Sequence, residues 1–161
     1  MIVSPLFVIF LVVVFIVVWL FVNTIDKRKW LTFLVSLVLT PVVYFYLFYP
    51  MLNIFSSYHH EKYFDAEAWE DKPALRYEMT NQILTDSLFI GKNKNDIKVL
   101  LGKPEWYGWD NAIKANSEQK WNYNLGFKPG AFNNMQECIE LQFINNTVTS
   151  VRPYQLEKTF E

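Results

Sequence analysis

Cysteine is nearly absent from this chain of 161 residues, in which Cys138 is the single example. One thiol excludes an intramolecular disulfide, and its position far along the chain leads us to expect no lipidated N-terminal cysteine. A lone thiol in an exported domain is tolerated when it is buried. We therefore favour a structural role for Cys138 over a reactive one.

Charged side chains are absent from residues 1–25 and again from residues 30–60. A helix rises about 1.5 Å per residue and the hydrocarbon core of a bilayer is about 30 Å thick, so the apolar runs 2–22 and 30–49 are each long enough to cross. We predict a transmembrane hairpin over residues 1–50. The lipid bilayer is then the first expected partner.

The charges of the short loop predict the orientation of this hairpin. Lys27, Arg28 and Lys29 follow the first apolar run directly, whereas the first four residues contain no Lys or Arg. Positive residues close to membrane helices are retained in the cytoplasm. Both termini are therefore expected on the opposite side. Residues 1–23 lack the positive start and small-residue cleavage site of a signal peptide, so we expect the first helix to remain.

Polar side chains are few inside the hairpin, and none of them is ionisable, which disfavours a transport or proton pathway. Thr32, Ser36 and Thr40 recur at every fourth position of the second helix. Either this stripe is a helix-packing surface, or the hydroxyls hydrogen-bond to their own helix, and the pattern favours neither. Pro41 is expected to bend the helix.

Residues 51–70 are predicted to form a juxtamembrane stalk with an acidic C-terminal half. Its neighbouring His59 and His60 invite a metal hypothesis. Adjacent residues rarely point the same way, and no third ligand stands at a suitable spacing, so no metal site is predicted. The acidic residues are interpreted as a solvated surface.

A soluble domain is predicted over residues 71–161, beginning with two helices. The first starts near Pro73 and ends near Thr85, with Leu75, Met79 and Ile83 on its buried face. The second starts at Asn93, where Asp96 completes an approximate capping box. It ends at Gly102, which is expected in a left-handed conformation, and its Leu101 is expected in the core.

The apolar period then changes to two, which predicts half-buried strands. Alternation covers 121–125 and 139–143, and Asn145 with Asn146 forms a tight-turn signal before a strand over 147–151. Strands with one apolar face must be covered, and the preceding helices are available for this. The predicted class is α+β, with two helices packed on an antiparallel sheet of three to four strands.

The segment between Leu75 and Val151 resembles the BamE (SmpA/OmlA) family and its BLIP-like relatives. The resemblance rests on Gly91, Asn93, Asp96, Ile97, Leu100, Leu101, Gly102 and Pro104, then Trp121-Asn122-Tyr123, Leu141-Gln142-Phe143 and Val148. It implies a bacterial, periplasmic, non-catalytic and protein-binding role in envelope assembly. Family members are typically lipoproteins, whereas this chain has a two-helix anchor, which suggests the inner membrane.

Three large aromatic residues lie close together in the segment that leads into the sheet. Trp106, Tyr107 and Trp109 flank Gly108. Packing in a thin core is one explanation. If the segment is extended, however, Tyr107 points away from Trp106, and not all three rings are buried. This segment is therefore the predicted partner-binding site.

Two classes of function remain after these observations. The first is an anchored binding module that contacts a protein in the membrane or periplasm, as an accessory subunit of an envelope complex or as an immunity-type inhibitor of a toxin. The second is an enzyme acting on lipid or cell-wall substrate through His59, His60 or the acidic residues. We favour the first, because no catalytic set is evident. The net charge of -1 argues neither way on nucleic acid, but the basic residues are scattered, so we expect no nucleic acid partner, and no cofactor is expected.

Overall fold

The computed structural model describes residues Met1–Lys158 and divides into two compact units. The first unit contains Met1–His60 together with Pro129–Ala131. The second contains Glu61–Lys128 and the chain from Phe132 onward. The predicted change from an apolar to a polar regime near residue 50 lies ten residues before this division.

The first unit is a helical hairpin. Helix α1 covers Pro5–Ile25, α2 covers Lys29–Val43, a π-helical segment covers Tyr44–Phe48, and α3 covers Tyr49–Phe55. The N-cap of α1 is Ser4, whose Oγ accepts a hydrogen bond from the Phe7 amide at 3.2 Å. Two continuous helices, Pro5–Ile25 and Lys29–Phe55, are long and apolar enough to cross a membrane, with mean hydropathies of 3.2 and 2.1.

Proline sets the hydrogen-bonding pattern of the second long helix. Pro41 lies inside α2, and three residues later the ladder changes from α to π, where the Tyr49 amide donates to the Tyr44 carbonyl. Pro50 follows immediately. Proline lacks an N–H and its ring clashes with the preceding turn, so the α ladder is interrupted near each proline.

The hydroxyl stripe of α2 is buried and also bonded to its own helix. Thr32, Ser36 and Thr40 are all buried within the hairpin unit. Ser36 Oγ donates to the Thr32 carbonyl and Thr40 Oγ1 donates to the Ser36 carbonyl, each at 2.7 Å. A hydroxyl that is hydrogen-bonded within its own helix can be buried at little cost, so its back-bonding and its burial are compatible.

The second unit contains an antiparallel four-stranded meander. Its strands are β1 (Trp106–Asp110), β2 (Ala115–Phe127), β3 (Met135–Ile144) and β4 (Thr147–Glu157), in the spatial order β1-β2-β3-β4. The predicted turn joins β3 to β4, with φ values of 48° and 66° at Asn145 and Asn146. Strands β1 and β4 form the two edges, and β4 includes Pro153.

Short helices precede this sheet, so the predicted α+β class is confirmed. They are α4 (Ala66–Asp71), a 3-10 segment (Pro73–Met79), α5 (Thr80–Thr85) and α6 (Lys94–Leu101). Asn93 and Asp96 form the predicted capping box of α6, and Gly102 ends it with φ of 78°. The sheet and helices enclose a core that contains Trp69, Met79, Ile83, Phe89, Ile97, Leu101, Trp121, Tyr123, Leu125, Ile139, Leu141, Phe143 and Val148.

The first predicted helix of this unit is wrong in its first half. Pro73–Met79 is a 3-10 helix, and its buried residues are Arg76, Tyr77, Glu78 and Met79, whereas Leu75 is 37% exposed. The cause is close contact with β2. A Cβ atom at Gly126 would overlap the Ala74 carbonyl, so this turn lies directly on the strand and follows a three-residue period.

The structure also differs from the predicted stalk of residues 51–70. Helix α3 continues to Phe55, and α4 belongs to the second unit, where its Trp69 is fully buried in the core. A single buried tryptophan in an otherwise acidic helix gives no periodic signal. The domain predicted from residue 71 thus includes earlier residues, and residues 159–161 of that prediction lie outside the described part of the chain.

Candidate functional site

The predicted aromatic segment forms the edge strand β1. Trp106 pairs with Asn122, and Tyr107 pairs with Trp121, whose side chain is in the core. Residues paired across two strands share a face, so Tyr107 lies on the helix-covered side and Trp106 lies on the other side. Tyr107 is 41% exposed and Trp109 is 57% exposed, whereas Trp106 is half-buried.

A large bulge separates the two halves of this strand pair. Tyr107 is opposite Trp121 but Gly108 is opposite Ser117, so three residues of β2 have no partner in β1. A Cβ atom at Gly108 would lie 2.5 Å from Glu140 Oε2, the end of a flexible side chain that can move aside, so the close approach favours glycine without requiring it. The bulge twists the edge and leaves its two exposed aromatic rings on the side opposite to Glu140.

The end of β1 and its turn extend the exposed apolar surface. Trp109 Nε1 donates to Asn111 Oδ1 at 3.0 Å, which holds the indole beside the turn. Asp110 Oδ1 accepts the Ala112 amide at 2.9 Å and fixes the turn itself. Ile113 at its tip is 61% exposed. We call Tyr107, Trp109 and Ile113 the edge patch.

The opposite face of the sheet is polar and partly closed by aromatic rings. Tyr154 Oη donates to Asn122 Oδ1 at 2.8 Å, and burial raises the pKa of Tyr154 to about 12. Cys138, opposite Tyr154, is fully buried, and desolvation raises the pKa of its thiol to about 11. An inaccessible and protonated thiol is a poor nucleophile, which agrees with a structural role for Cys138.

The two histidines are not arranged as a pair. His60 is buried in the hairpin unit, where its ring is stacked on Tyr49, while His59 Nδ1 is 3.0 Å from the Ser57 carbonyl. Within residues 1–158, no cluster of three or more His, Cys, Asp or Glu side chains is placed to hold a metal ion.

A cavity of about 520 Å³ lies between α4 and the C-terminal end of α6. Arg76 lies in its wall and is buried, with its guanidinium carbon 4.6 Å from the centre of the Trp69 ring. Its Nε donates to the Trp69 carbonyl at 2.7 Å, and Nη1 donates to Glu105 Oε1 at 2.7 Å. Glu105 directly precedes β1, so this cavity adjoins the N-terminal end of the strand that carries the edge patch.

Sequence reasoning singled out the aromatic segment that forms β1, without predicting it as a strand, and missed the cavity and the burial of two polar residues. Arg76 stands beside predicted core positions, and a basic residue there is normally solvated. His60 follows His59 in a segment without apolar periodicity. The one available signal was the density of aromatic residues around each of them, with Trp69 and Tyr77 on one side and Tyr44, Tyr49 and Tyr58 on the other.

Comparison with known proteins adds no relative to this description. No family model matches the chain, and no curated protein or solved structure matches it. The geometry therefore carries the functional argument. Its distinctive parts are an edge strand with exposed aromatic side chains and an adjoining charged cavity, an arrangement suited to binding an extended polypeptide.

Proposed function

We propose that this chain is a non-catalytic, membrane-anchored module that binds a protein partner through β1 and the edge patch. The observation that carries the proposal is the exposure of Tyr107 and Trp109 on an edge strand. Aromatic side chains are frequent anchors of protein interfaces, and a strand edge offers backbone groups to a second strand. A partner strand alongside β1 gains both kinds of contact.

The proposal includes a membrane anchor, which is supported by the first unit. Two helices long and apolar enough to cross it precede the sheet unit, and Asp26–Arg28 form the loop between them. The Asp26 carboxylate pairs with Arg28 at 2.8 Å, and that hydrogen bond lowers the pKa of Asp26. Lys27 and Lys29 remain as positive charges beside the helices, which supports a cytoplasmic loop and both termini on the other side.

The bacterial envelope enters the proposal through the resemblance to the BamE family. That resemblance supports an accessory subunit of an envelope complex, located in the inner membrane with its sheet unit in the periplasm. The helix-then-meander order of the second unit is compatible with it. Inhibition of a toxin would use the same surface, and no structural feature favours that version.

Co-purification of partners from native membranes tests the binding surface. The full chain is cross-linked in cells, extracted in mild detergent and compared with a Tyr107→Ala/Trp109→Ala double variant and with Phe132→Ala. Phe132 is the matched control because it is 94% exposed and lies outside the edge patch. We expect a partner retained by wild type and by the control but lost from the double variant.

Two measurements decide what a negative result means. Near-ultraviolet circular dichroism and thermal melting establish whether the double variant is folded. A folded double variant that retains every partner contradicts the proposal, and so does an unfolded one, because its aromatic rings would then be core residues.

Labelling of introduced cysteines tests the orientation. Cysteine is placed at Thr24 or at Ser57 in a Cys138→Ala background, and spheroplasts are treated with a membrane-impermeant maleimide. We expect labelling at position 57 and protection at position 24. The reverse pattern would place the sheet unit in the cytoplasm.

A further inference from the structure

The guanidinium of Arg76 is only partly used by the protein. Nε and Nη1 together donate to the Trp69 carbonyl, Glu105 and the Asn124 carbonyl, the last at 3.1 Å. Within the described residues Nη2 has no hydrogen-bond partner, and it is not fully buried, so it retains access to solvent. A buried arginine with one accessible, unsatisfied nitrogen is an oriented donor for an anionic ligand.

The other charged residues of the cavity wall are of both signs, and one of the acidic ones, Glu105, is already paired with Arg76. Lys103 lies in the wall and makes no ion pair among residues 1–158, whereas the Lys98 ammonium lies 5.7 Å from the Trp121 ring. On the α4 side, Glu67 and Glu70 also have no described partner. A phosphate dianion would be repelled by these two carboxylates. A ligand that carries one carboxylate and one nearby cation can pair with the basic residues through the first and with Glu67 and Glu70 through the second.

We propose that this cavity binds the C-terminus of a polypeptide. The terminal carboxylate is one part of the recognised group, and the other is the side chain of a penultimate Lys or Arg. The carboxylate accepts hydrogen bonds from Arg76 Nη2 and Lys103, and the basic side chain lies against Glu67 and Glu70. A volume of about 520 Å³ is within the range of pockets for small ligands and accommodates such an end. This inference rests on the proposed function, since a partner strand beside β1 would bring its end to the cavity next to Glu105.

Three short peptides separate the two charge requirements. N-acetyl-Lys-Ala carries both charges, N-acetyl-Lys-Ala-amide lacks the carboxylate, and N-acetyl-Glu-Ala lacks the cation. Binding to the full chain in detergent micelles is measured by saturation-transfer NMR. We expect the first peptide to bind at least tenfold more tightly than either of the others. Equal binding of the amide would overturn the carboxylate assignment, and equal binding of N-acetyl-Glu-Ala would overturn the assignment of Glu67 and Glu70.

Variants locate the binding without relying on Arg76, whose loss risks the fold. Lys103→Gln and the cavity-filling Ala66→Trp are each expected to weaken N-acetyl-Lys-Ala at least tenfold, while Lys92→Gln, outside the cavity, leaves it unchanged. Unaltered binding to a folded Ala66→Trp variant would show that the peptide binds elsewhere and would overturn the inference. Co-purification that depends on Tyr107 and Trp109 would survive that failure, so the two proposals are tested separately.

Discussion

The imidazole of His60 is stacked on the phenol ring of Tyr49, with ring centroids 4.6 Å apart and an angle of 29° between the planes. The Phe7 ring is nearly perpendicular to the same imidazole, with ring centroids 5.1 Å apart. Residues from the start of α1, from α3 and from the chain beyond α3 therefore share one aromatic cluster. This cluster ties the segment after Phe55 to the helical hairpin.

Removal of the His60 ring should loosen that segment. Each aromatic pair contributes about 1 kcal/mol, so His60→Ala should accelerate hydrogen exchange of amides 57–61 about fivefold or more. Hydrogen–deuterium exchange mass spectrometry of the full chain measures this effect. His59→Ala is the matched control and should change exchange much less. Equal effects of the two substitutions would show that stacking on Tyr49 does not hold the segment.

Leu101 and Val99 offer a matched pair on one helix. Leu101 is buried in the core of the second unit, whereas Val99 is 83% exposed. Leu101→Ala should lower the free energy of unfolding by about 2 to 5 kcal/mol, because it removes buried methyl groups and leaves a cavity. Val99→Ala should change it by less than about 0.5 kcal/mol. Urea unfolding followed by tryptophan fluorescence checks both values, and a shared midpoint would contradict the packing of α6.

Gly126 and Gly91 separate steric overlap from backbone strain. Both have positive φ, at 89° and 82°, but only an added Cβ at Gly126 meets another group, the Ala74 carbonyl. Gly91→Ala should cost about 1 to 2 kcal/mol for the left-handed conformation alone. Gly126→Ala should cost more, because the 3-10 segment must move off β2. Thermal melting that ranks the two variants in the opposite order would refute this contact.

The contribution of Cys138 to the free energy of unfolding changes with pH in the alkaline range. Burial raises the thiol pKa from 9.0 to about 11, so between these values the unfolded chain loses a proton that the folded chain keeps. The folded state then binds more protons, and the free energy of unfolding falls as pH rises from about 9 to about 11. Comparison of wild type with Cys138→Ala isolates this term. The variant should lose less stability over that interval, and parallel curves would contradict the burial.

Sequence patterns predicted the elements of this chain better than their packing. The capping box at Asn93 and the turn at Asn145 are local, because a few neighbouring residues determine each of them, and both occur in the structure. Trp69 and Arg76 depend instead on what surrounds them. Their burial arises from contacts with α6 and β2, distant in sequence, and no periodic pattern records such contacts.

In the candidate site, too, local features were predicted from the sequence and long-range packing was not. Alternation along an extended segment predicted that Tyr107 and Trp106 point to opposite sides, and the pairing with β2 places them so. The bulge beside Gly108 and the cavity next to Glu105 were not predicted. Both depend on which residues of β2 and α4 lie opposite, a question of register that one sequence does not answer.

The two borders of the sheet are not equivalent to an incoming strand. Pro153 removes a backbone donor from β4, and a proline in a paired edge strand directs the missing N–H outward. No proline interrupts β1. The strand addition that we propose beside β1 meets no missing donor there, whereas copies of the chain joined β1 to β4 would meet a defective border at every junction. Under the proposed function, such unequal borders would admit one guest strand and oppose open-ended fibre growth.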